Sequence, residues 1–425
     1  MDLTVKKDFK KLSGEIEIPS DKSLSHRAVI FASLSKGKSV IKNFSKGQDP
    51  HSSLNICKSL GVRIEESGGQ VIVESDGILS APNQALNCGN SGTTMRLMAG
   101  ILAGQEFDSV LIGDDSLSKR PMKRVIEPLS LMGANIISND FHAPLNISGT
   151  KLNAISYESK IASAQVKSCV LLAGLFAHGI TKYKEIYPSR NHTEIMLKNM
   201  GADISEQNGI IYLNPTNELK PLNIEICGDI SSAAYFIVAA LLVPDSHIII
   251  KNVGLNPTRC GIFDVVKNMG GDIEILEQKD ICGEIVVDLE VKYTPNLKGV
   301  TISGDIIPKL IDEIPVIALL STQCEGETLI KDAQDLRNKE SDRILTVVTE
   351  LKKLGANIEQ TPDGMKIYGK TKLKGDVILD SYKDHRLAMS MFVAGLICEK
   401  EVSIKDFEWV NISFPEFLEL FGTLK

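Results

Sequence analysis

The chain has 425 residues, 43% hydrophobic and 24% charged, with length for two or three domains; disorder, collagen and coiled coil are excluded for its bulk. Its 47 Lys and Arg against 54 Asp and Glu give a net charge of −7, which argues against an extended nucleic-acid footprint. Eight Cys without a C-x-x-C pair and seven His without H-x-x-x-H spacing predict reduced thiols and no metal.

The first residues, Met1-Asp2-Leu3-Thr4-Val5-Lys6, carry no apolar signal core. The longest apolar run, 233–243, has 11 residues, short of the ~20 a spanning helix needs, so a cytoplasmic protein without a membrane span is expected.

In chain order, the first predicted element is an apolar helix over 23–34, following Asp21-Lys22 and carrying His26 and Arg27. A more charged helix then ends at Gly61 and passes into the β-type run Val62-Arg63-Ile64. The pattern repeats. An apolar helix over 92–103 opens with Asn90-Ser91-Gly92-Thr93-Thr94 and carries Arg96, and its charged partner ends at Gly133. The third, over 163–177, carries Lys167 and leads on to Gly201; the fourth, over 231–243, follows Asp229 and leads on to Gly270. The fifth, over 313–322, opens at Asp312-Glu313, and its charged partner over 340–354 ends at Gly355. The sixth, over 385–398, opens with Asp384-His385-Arg386, and Phe421-Gly422 reads as its truncated close.

The Gly spacings are 72, 68, 69, 85 and 67, so six units of about 70 residues are predicted. A polar insertion near 278–294 accounts for the long interval. Each Gly suits the left-handed residue that closes a helix. A helix apolar on all sides is buried on all sides, whereas the Gly-terminated helices read as half-exposed covers. The expectation is an α/β protein with helices inside and sheets around them.

The buried helices open on polar residues. Ser, Thr, Asp and Asn there are accounted for by capping of orphan N–H groups. Capping does not account for Lys22, Arg27, Arg96 and Arg386. Cations oppose the positive end of a helix unless an anion sits there, so four such sites predict a pocket for a multiply anionic ligand. Arg120 and Arg343, just ahead of covering helices, suit bidentate capture of phosphate or carboxylate, with a surface ion pair as the ordinary alternative.

Seven segments together resemble a known family. They are 19–27 (Pro-Ser-Asp-Lys-Ser-Leu-Ser-His-Arg), 89–96 (Gly-Asn-Ser-Gly-Thr-Thr-Met-Arg), 120–122, 163–168, 189–194, 339–343 (Lys-Glu-Ser-Asp-Arg) and 384–389. In order and over the whole chain, they are similar to the enolpyruvyl transferases, and within these to the branch whose acceptor is shikimate 3-phosphate.

The resemblance implies a two-domain inside-out α/β barrel, each domain three βαβαββ repeats around buried helices. It places one domain at 19–227 and the other at 1–18 with 228–425, the chain crossing near Pro19 and Cys227 and the active site lying in the interdomain cleft. It implies transfer of the enolpyruvyl group of phosphoenolpyruvate to the 5-hydroxyl of shikimate 3-phosphate, by addition and elimination with loss of phosphate, in the route to chorismate and aromatic amino acids. No cofactor and no metal are implied, and a monomer is expected, with no nucleic-acid or membrane partner.

The same resemblance carries over residue roles. Asp312 takes the 5-hydroxyl proton, Glu340 and Lys22 handle proton transfer at the enolpyruvyl group, and His385 supports the site by hydrogen bonding. Phosphoenolpyruvate falls to Lys22, Gly92, Arg120, Gln165, Arg343 and Arg386. Shikimate 3-phosphate falls to Lys22, Ser23, Arg27, Ser163, Gln165, Ser189, Asp312 and Lys339. Asp49 and Arg96 are expected to pair or brace the pocket, and Glu313 to cap beside Asp312.

Ser91, Thr94 and Leu97 depart from the family's common Asn-Ala-Gly-Thr-Ala-Met-Arg-Pro, and Ile412 stands where many members have Lys, a contact that is either missing here or supplied by another group, with Lys167 as the candidate. Two other readings compete. The UDP-N-acetylglucosamine enolpyruvyl transferases carry Lys-Asn early and a loop Cys, where this chain has Lys22-Ser23 and no Cys in 113–118. A non-enzymatic ring such as a DNA clamp would line its helices with Lys and Arg, whereas these are apolar beyond the first turn.

Overall fold

Six helices have almost no exposed face, as their composition requires. In a computed structural model that describes residues 2–6, 10–216 and 218–424, they are Lys22–Ser33, Gly92–Ala103, Ala164–Gly174, Ile230–Leu242, Ile314–Ser321 and His385–Ile397. Every residue of Ile314–Ser321 is buried, and so is all of Ile230–Leu242 except Ser232. Both stand within 1 residue of their predicted starts. No helix of the described residues is long and apolar enough to cross a membrane.

Five of the six begin at a capping side chain. Asp21, Ser91, Ser163, Asp229 and Asp384 each accept a backbone N–H from the first turn. The fifth helix differs. Glu313 stands at its cap without a capping bond; the short turn Ile307–Leu310 leads in, and a proline sits in the first turn, where its missing N–H costs nothing. The expected capping role of Glu313 is therefore corrected.

Around each inner helix lies a sheet and a covering helix. In the second repeat, Leu86–Asn87 runs parallel to Ser109–Ile112, which pairs antiparallel with His142–Ser148, and that with Asn135–Asn139. This is a βαβαββ unit, and the same strand order recurs in five four-stranded sheets. The covering helices Gln48–Ser59, Lys123–Leu131, His192–Asn199, Gly261–Asn268 and Arg343–Lys353 each bury one face. Each is followed by a left-handed glycine, at 61, 133, 201, 270 and 355, with φ between 81° and 95°.

Two expectations need correction. The residues 278–294 are no insertion: most belong to the long neighbouring strands Asp272–Ile281 and Glu284–Lys292. The sixth unit is incomplete. Val377–Asp380 and Val402–Lys405 pair in parallel, but the antiparallel neighbour is Leu3–Val5 from the other end of the chain. Gly422 has no left-handed φ; it lies inside the helix Phe417–Thr423, whose Phe417 and Phe421 pack on Phe236 and Phe392.

The chain divides into two units. One is Ser20–Ile226 with Ile281–Gly283; the other is Met1–Pro19, Cys227–Asp280 and Glu284–Lys425. The strand ahead of each unit's first inner helix pairs in the opposite unit. Ser13–Glu17 runs beside His247–Gly254, and Asn223–Glu225 beside Lys36–Lys42. All eight cysteines are free thiols, and Cys282 is the exposed one.

Within the 20–226 unit, Gly100 lets two inner helices meet. A Cβ there would overlap the Cys169 carbonyl oxygen, on Ala164–Gly174, far inside van der Waals contact. Gly100→Ala is expected to cost about 2 kcal/mol or more by forcing these backbones apart, read as a lower urea midpoint with an unchanged slope.

Candidate active site

Because the inner helices are buried along their length, their polar groups collect at the N-terminal turns. In the 20–226 unit, Lys22 is the first residue of its helix, where the helix end repels a cation. Its ammonium pairs with Asp49, in the first turn of the covering helix Gln48–Ser59. Arg96 donates from Nη1 to Gln165 Oε1 at 2.5 Å, and Gln165 Nε2 donates to Thr93 Oγ1 at 2.9 Å. Asp49 and Arg96 were expected to pair or brace the pocket; they take separate partners, Asp49 within its own repeat and Arg96 on the next.

Arg120 is buried and donates from Nη2 to Asn90 Oδ1 at 2.8 Å. Gly92 lies under both arginines. A Cβ on it would stand 2.8 Å from Arg96 Nη1 and 3.5 Å from Arg120 Nη1. Helix Gly92–Ala103 therefore starts on a bare backbone beneath two guanidinium groups, one donating to Gln165 and the other to Asn90. Its first amides have no intrahelical acceptor.

Two other predicted residues tie the repeats together. Arg27 is buried and donates to Ser23 O at 3.1 Å, Thr193 Oγ1 at 2.9 Å and Ser168 Oγ at 2.8 Å. Ser23 Oγ also accepts from Arg190 at 3.4 Å. Ser163 caps the third helix, and the Ser189 hydroxyl donates to Glu185.

Lys167 is committed elsewhere. Its ammonium meets Glu194 at 2.8 Å, Glu185 at 3.0 Å and the Ser189 carbonyl at 3.0 Å. Burial disfavours its charge, but Glu194 and Glu185 outweigh that and hold its pKa above the ordinary lysine value. Lys167 is a structural cation, so as the candidate for the contact that Ile412 does not make it is corrected.

In the 227–425 unit the predicted residues converge on Asp312. Its carboxylate lies 3.4 Å from Lys339 Nζ, 3.4 Å from Arg343 Nη1 and 3.9 Å from Arg386 Nη2. Arg343 is 1% exposed, so its charge needs internal partners. It donates to Glu340 at 2.6 Å and grips Asp384 from Nε at 2.8 Å and from Nη2 at 3.2 Å. Burial works against the charge of both Arg343 and Asp384; the carboxylates, Asp384 first, outweigh it and raise the arginine above its ordinary value, and Arg343 holds Asp384 below the ordinary range. His385, buried, opens the sixth inner helix between Asp384 and Arg386.

Asp312 and Glu313 now have distinct places. Asp312 keeps some exposure among its three cations, whereas the Glu313 side chain is fully buried. Glu313 accepts from Ser231 Oγ and lies 3.7 Å from Arg386 Nη1. The expectation that N-terminal cations require a bound anion is corrected for Lys22 and Arg386, because Asp49 and the pair Asp312 and Glu313 supply one.

Arg259 escaped the sequence reading. It is buried, meets Asp229 at 2.7 Å and donates to Ser231 Oγ at 3.1 Å. A signal was present. Arg120, Arg190, Arg259 and Arg343 all stand within three residues of the start of a covering helix, so the repeat itself selects Arg259.

The family model described as EPSP synthase (3-phosphoshikimate 1-carboxyvinyltransferase) matches residues 6–421. A 3-phosphoshikimate 1-carboxyvinyltransferase of Thermodesulfovibrio yellowstonii is 54% identical over 426 residues, covering 99% of each chain. One from Bacillus subtilis is 50% identical over 413 residues, covering 96% of each. The solved EPSP synthase of Acinetobacter baumannii superposes with a TM-score of 0.88 at 39% identity, over 100% of this chain and 98% of that one. The enolpyruvyl transferase NikO of Streptomyces tendae, at 16% identity and a TM-score of 0.81 over 100% of this chain and 97% of that one, shares the fold.

Asp229 offers a test of the buried pairing. Burial opposes its charge, but Arg259 and Arg386 outweigh burial and lower its pKa from 3.8 to about 2. A lowered carboxylate adds stability that is present above about pH 4 and is lost as pH falls through about 2. Asp229→Asn keeps a capping oxygen but removes the negative charge that faces buried Arg259. It is expected to cost about 3 kcal/mol at neutral pH and to flatten the stability profile between about pH 4 and pH 2, measured by urea unfolding.

Proposed function

The chain belongs to the EPSP synthase (3-phosphoshikimate 1-carboxyvinyltransferase) family, and we propose that the constellations at Gly92 and at Asp312 divide the work of its reaction. The enzyme transfers the enolpyruvyl group of phosphoenolpyruvate to the 5-hydroxyl of shikimate 3-phosphate, a step toward chorismate. The hydroxyl oxygen bonds to C2 of phosphoenolpyruvate while C3 takes a proton. The tetrahedral adduct then loses phosphate from C2 and a proton from C3, which restores the double bond.

The observation that carries the residue assignment is the setting of Asp312, a carboxylate among Lys339, Arg343 and Arg386. Asp312 takes the 5-hydroxyl proton as the C2–O bond forms, and the three cations steady the charge of two anionic substrates. Glu340, gripped by Arg343, and Lys22, gripped by Asp49, deliver and remove the C3 proton. His385 braces the start of the sixth helix.

Phosphoenolpyruvate is held by Lys22, Gly92, Arg120, Gln165, Arg343 and Arg386. The bare helix start at Gly92 supports this, since it offers amides and guanidinium groups to one anion. Shikimate 3-phosphate is held by Lys22, Ser23, Arg27, Ser163, Gln165, Ser189, Asp312 and Lys339. The Arg27, Ser23 and Arg190 cluster supports its phosphate end. One chain supplies both constellations, which supports action as a monomer. The net charge of −7 supports a reading without nucleic acid, and the absence of a spanning helix among the described residues supports a cytoplasmic location.

Phosphate release from phosphoenolpyruvate is expected with shikimate 3-phosphate and absent with UDP-N-acetylglucosamine. Asp312→Ala is expected to lower kcat by about 10²–10⁴-fold; a variant within about twofold of the wild type would remove Asp312 as the base. Gly92→Ala places a methyl group against Arg96 and is expected to raise KM for phosphoenolpyruvate roughly tenfold, with KM for shikimate 3-phosphate little changed, as steady-state kinetics would show.

A further inference from the structure

Ser91 and Thr94, two of the departures from the family's common motif, belong to one buried chain of hydrogen bonds. Thr94 Oγ1 donates to Ser91 Oγ at 2.8 Å, Ser53 Oγ meets Thr94 Oγ1 at 2.8 Å, and His26 Nδ1 meets Ser53 Oγ at 2.8 Å. His26, Ser53, Ser91 and Thr94 have no exposed surface. The chain links three elements of the 20–226 unit: the inner helix Lys22–Ser33, the covering helix Gln48–Ser59 and the inner helix Gly92–Ala103.

Counting protons gives the chain a direction. A hydroxyl has one hydrogen to donate. Thr94 Oγ1 uses its hydrogen on Ser91, so in the Ser53–Thr94 contact Ser53 is the donor. Ser53 then has none left for the imidazole, so His26 donates from Nδ1. Nε2 carries no proton, and this nitrogen meets no partner among the described residues. A neutral ring fits this: burial first, then the charges of Lys22 and Arg27, lower the His26 pKa well below 6.5.

At its far end the chain clamps one helical turn. Ser91 Oγ accepts both the Thr94 hydroxyl and the Thr94 backbone N–H, the latter at 3.1 Å. Gly92 and Thr93 lie inside that clamp. Their amides, with no intrahelical acceptor, point where the helix start points.

We propose that His26, Ser53, Thr94 and Ser91 are positioning residues that aim the Gly92 and Thr93 amides at the phosphoenolpyruvate anion, His26 acting as an Nδ1–H donor. The proposal rests on the reading that Gly92 and Arg120 hold phosphoenolpyruvate. It differs from a purely structural role because the clamp sets the direction of binding amides rather than packing. Loss of one hydroxyl then weakens one substrate selectively.

The test is steady-state kinetics on Thr94→Val, Thr94→Ser, Ser53→Ala and Arg120→Ala, with ¹⁵N NMR of the histidine side chains. Thr94→Val keeps the shape and removes the hydroxyl. It is expected to raise KM for phosphoenolpyruvate about tenfold, the loss of about 1.4 kcal/mol, with kcat and KM for shikimate 3-phosphate within about twofold. Thr94→Ser restores the wild-type KM, and Ser53→Ala, which leaves the Thr94 backbone untouched, repeats the effect if Thr94→Val folds poorly. The His26 signal, identified by its absence in His26→Asn, is expected as the Nδ1–H form.

An Nε2–H signal overturns the proposal, as does an equal loss in kcat and both KM values. An unchanged KM in Thr94→Val, with Arg120→Ala raising it, overturns the chain and leaves the binding reading standing. An unchanged KM in Arg120→Ala overturns both.

Discussion

A helix buried along its whole length can present polar groups only at its ends. Six such helices make up the interior of this protein, and their N-terminal turns carry a large share of its buried charge. Lys22, Asp229, Asp384 and Arg386 stand there because the helix flanks are closed to them by packing. The rest follows from desolvation. A charge held at a buried terminus must meet an opposite charge or a strong dipole, so arginines and carboxylates interlock across repeats.

The two units meet that demand differently. In the 227–425 unit the partners are carboxylates: Asp384 and Glu340 hold Arg343, Asp229 holds Arg259, and Asp312 faces three cations. In the 20–226 unit neutral groups are among the partners: Gln165 accepts from Arg96, Asn90 from Arg120, and two hydroxyls and a carbonyl from Arg27. Amide and hydroxyl oxygens orient an arginine without cancelling its charge, whereas carboxylates do both. Asp49 beside Lys22, and Glu194 and Glu185 around Lys167, show that the first unit also uses carboxylates where a cation is to stay in place.

Much of this was legible in residue order. Periodicity alone located the inner helices, because a helix apolar on every side has one stable environment. The glycine interval located the turns, because a left-handed residue after a helix favours Gly. The site residues near Asp312 were legible from local motifs. Arg259 was overlooked because no local motif marks it; its importance comes from Asp229, 30 residues away in the chain, and from the repeat that places an arginine at the start of four of the five covering helices.

The sequence by itself determined the α/β class, the repeat, five of six caps and the charged side chains gathered at the helix starts, because each depends on contacts within a few residues. Tertiary structure decided which partner each charge takes. Asp49 went to Lys22 rather than Arg96, Lys167 was consumed by two glutamates, and Glu313 turned inward to Ser231 while Asp312 faced the cations. It also decided strand membership: Ser13–Glu17 and Asn223–Glu225 each pair away from the helix they precede, and Leu3–Val5 completes the sixth sheet. Strand pairing and ion pairing are contacts between residues far apart in the chain, and their choice is set by which groups the packed helices bring within about 3–4 Å.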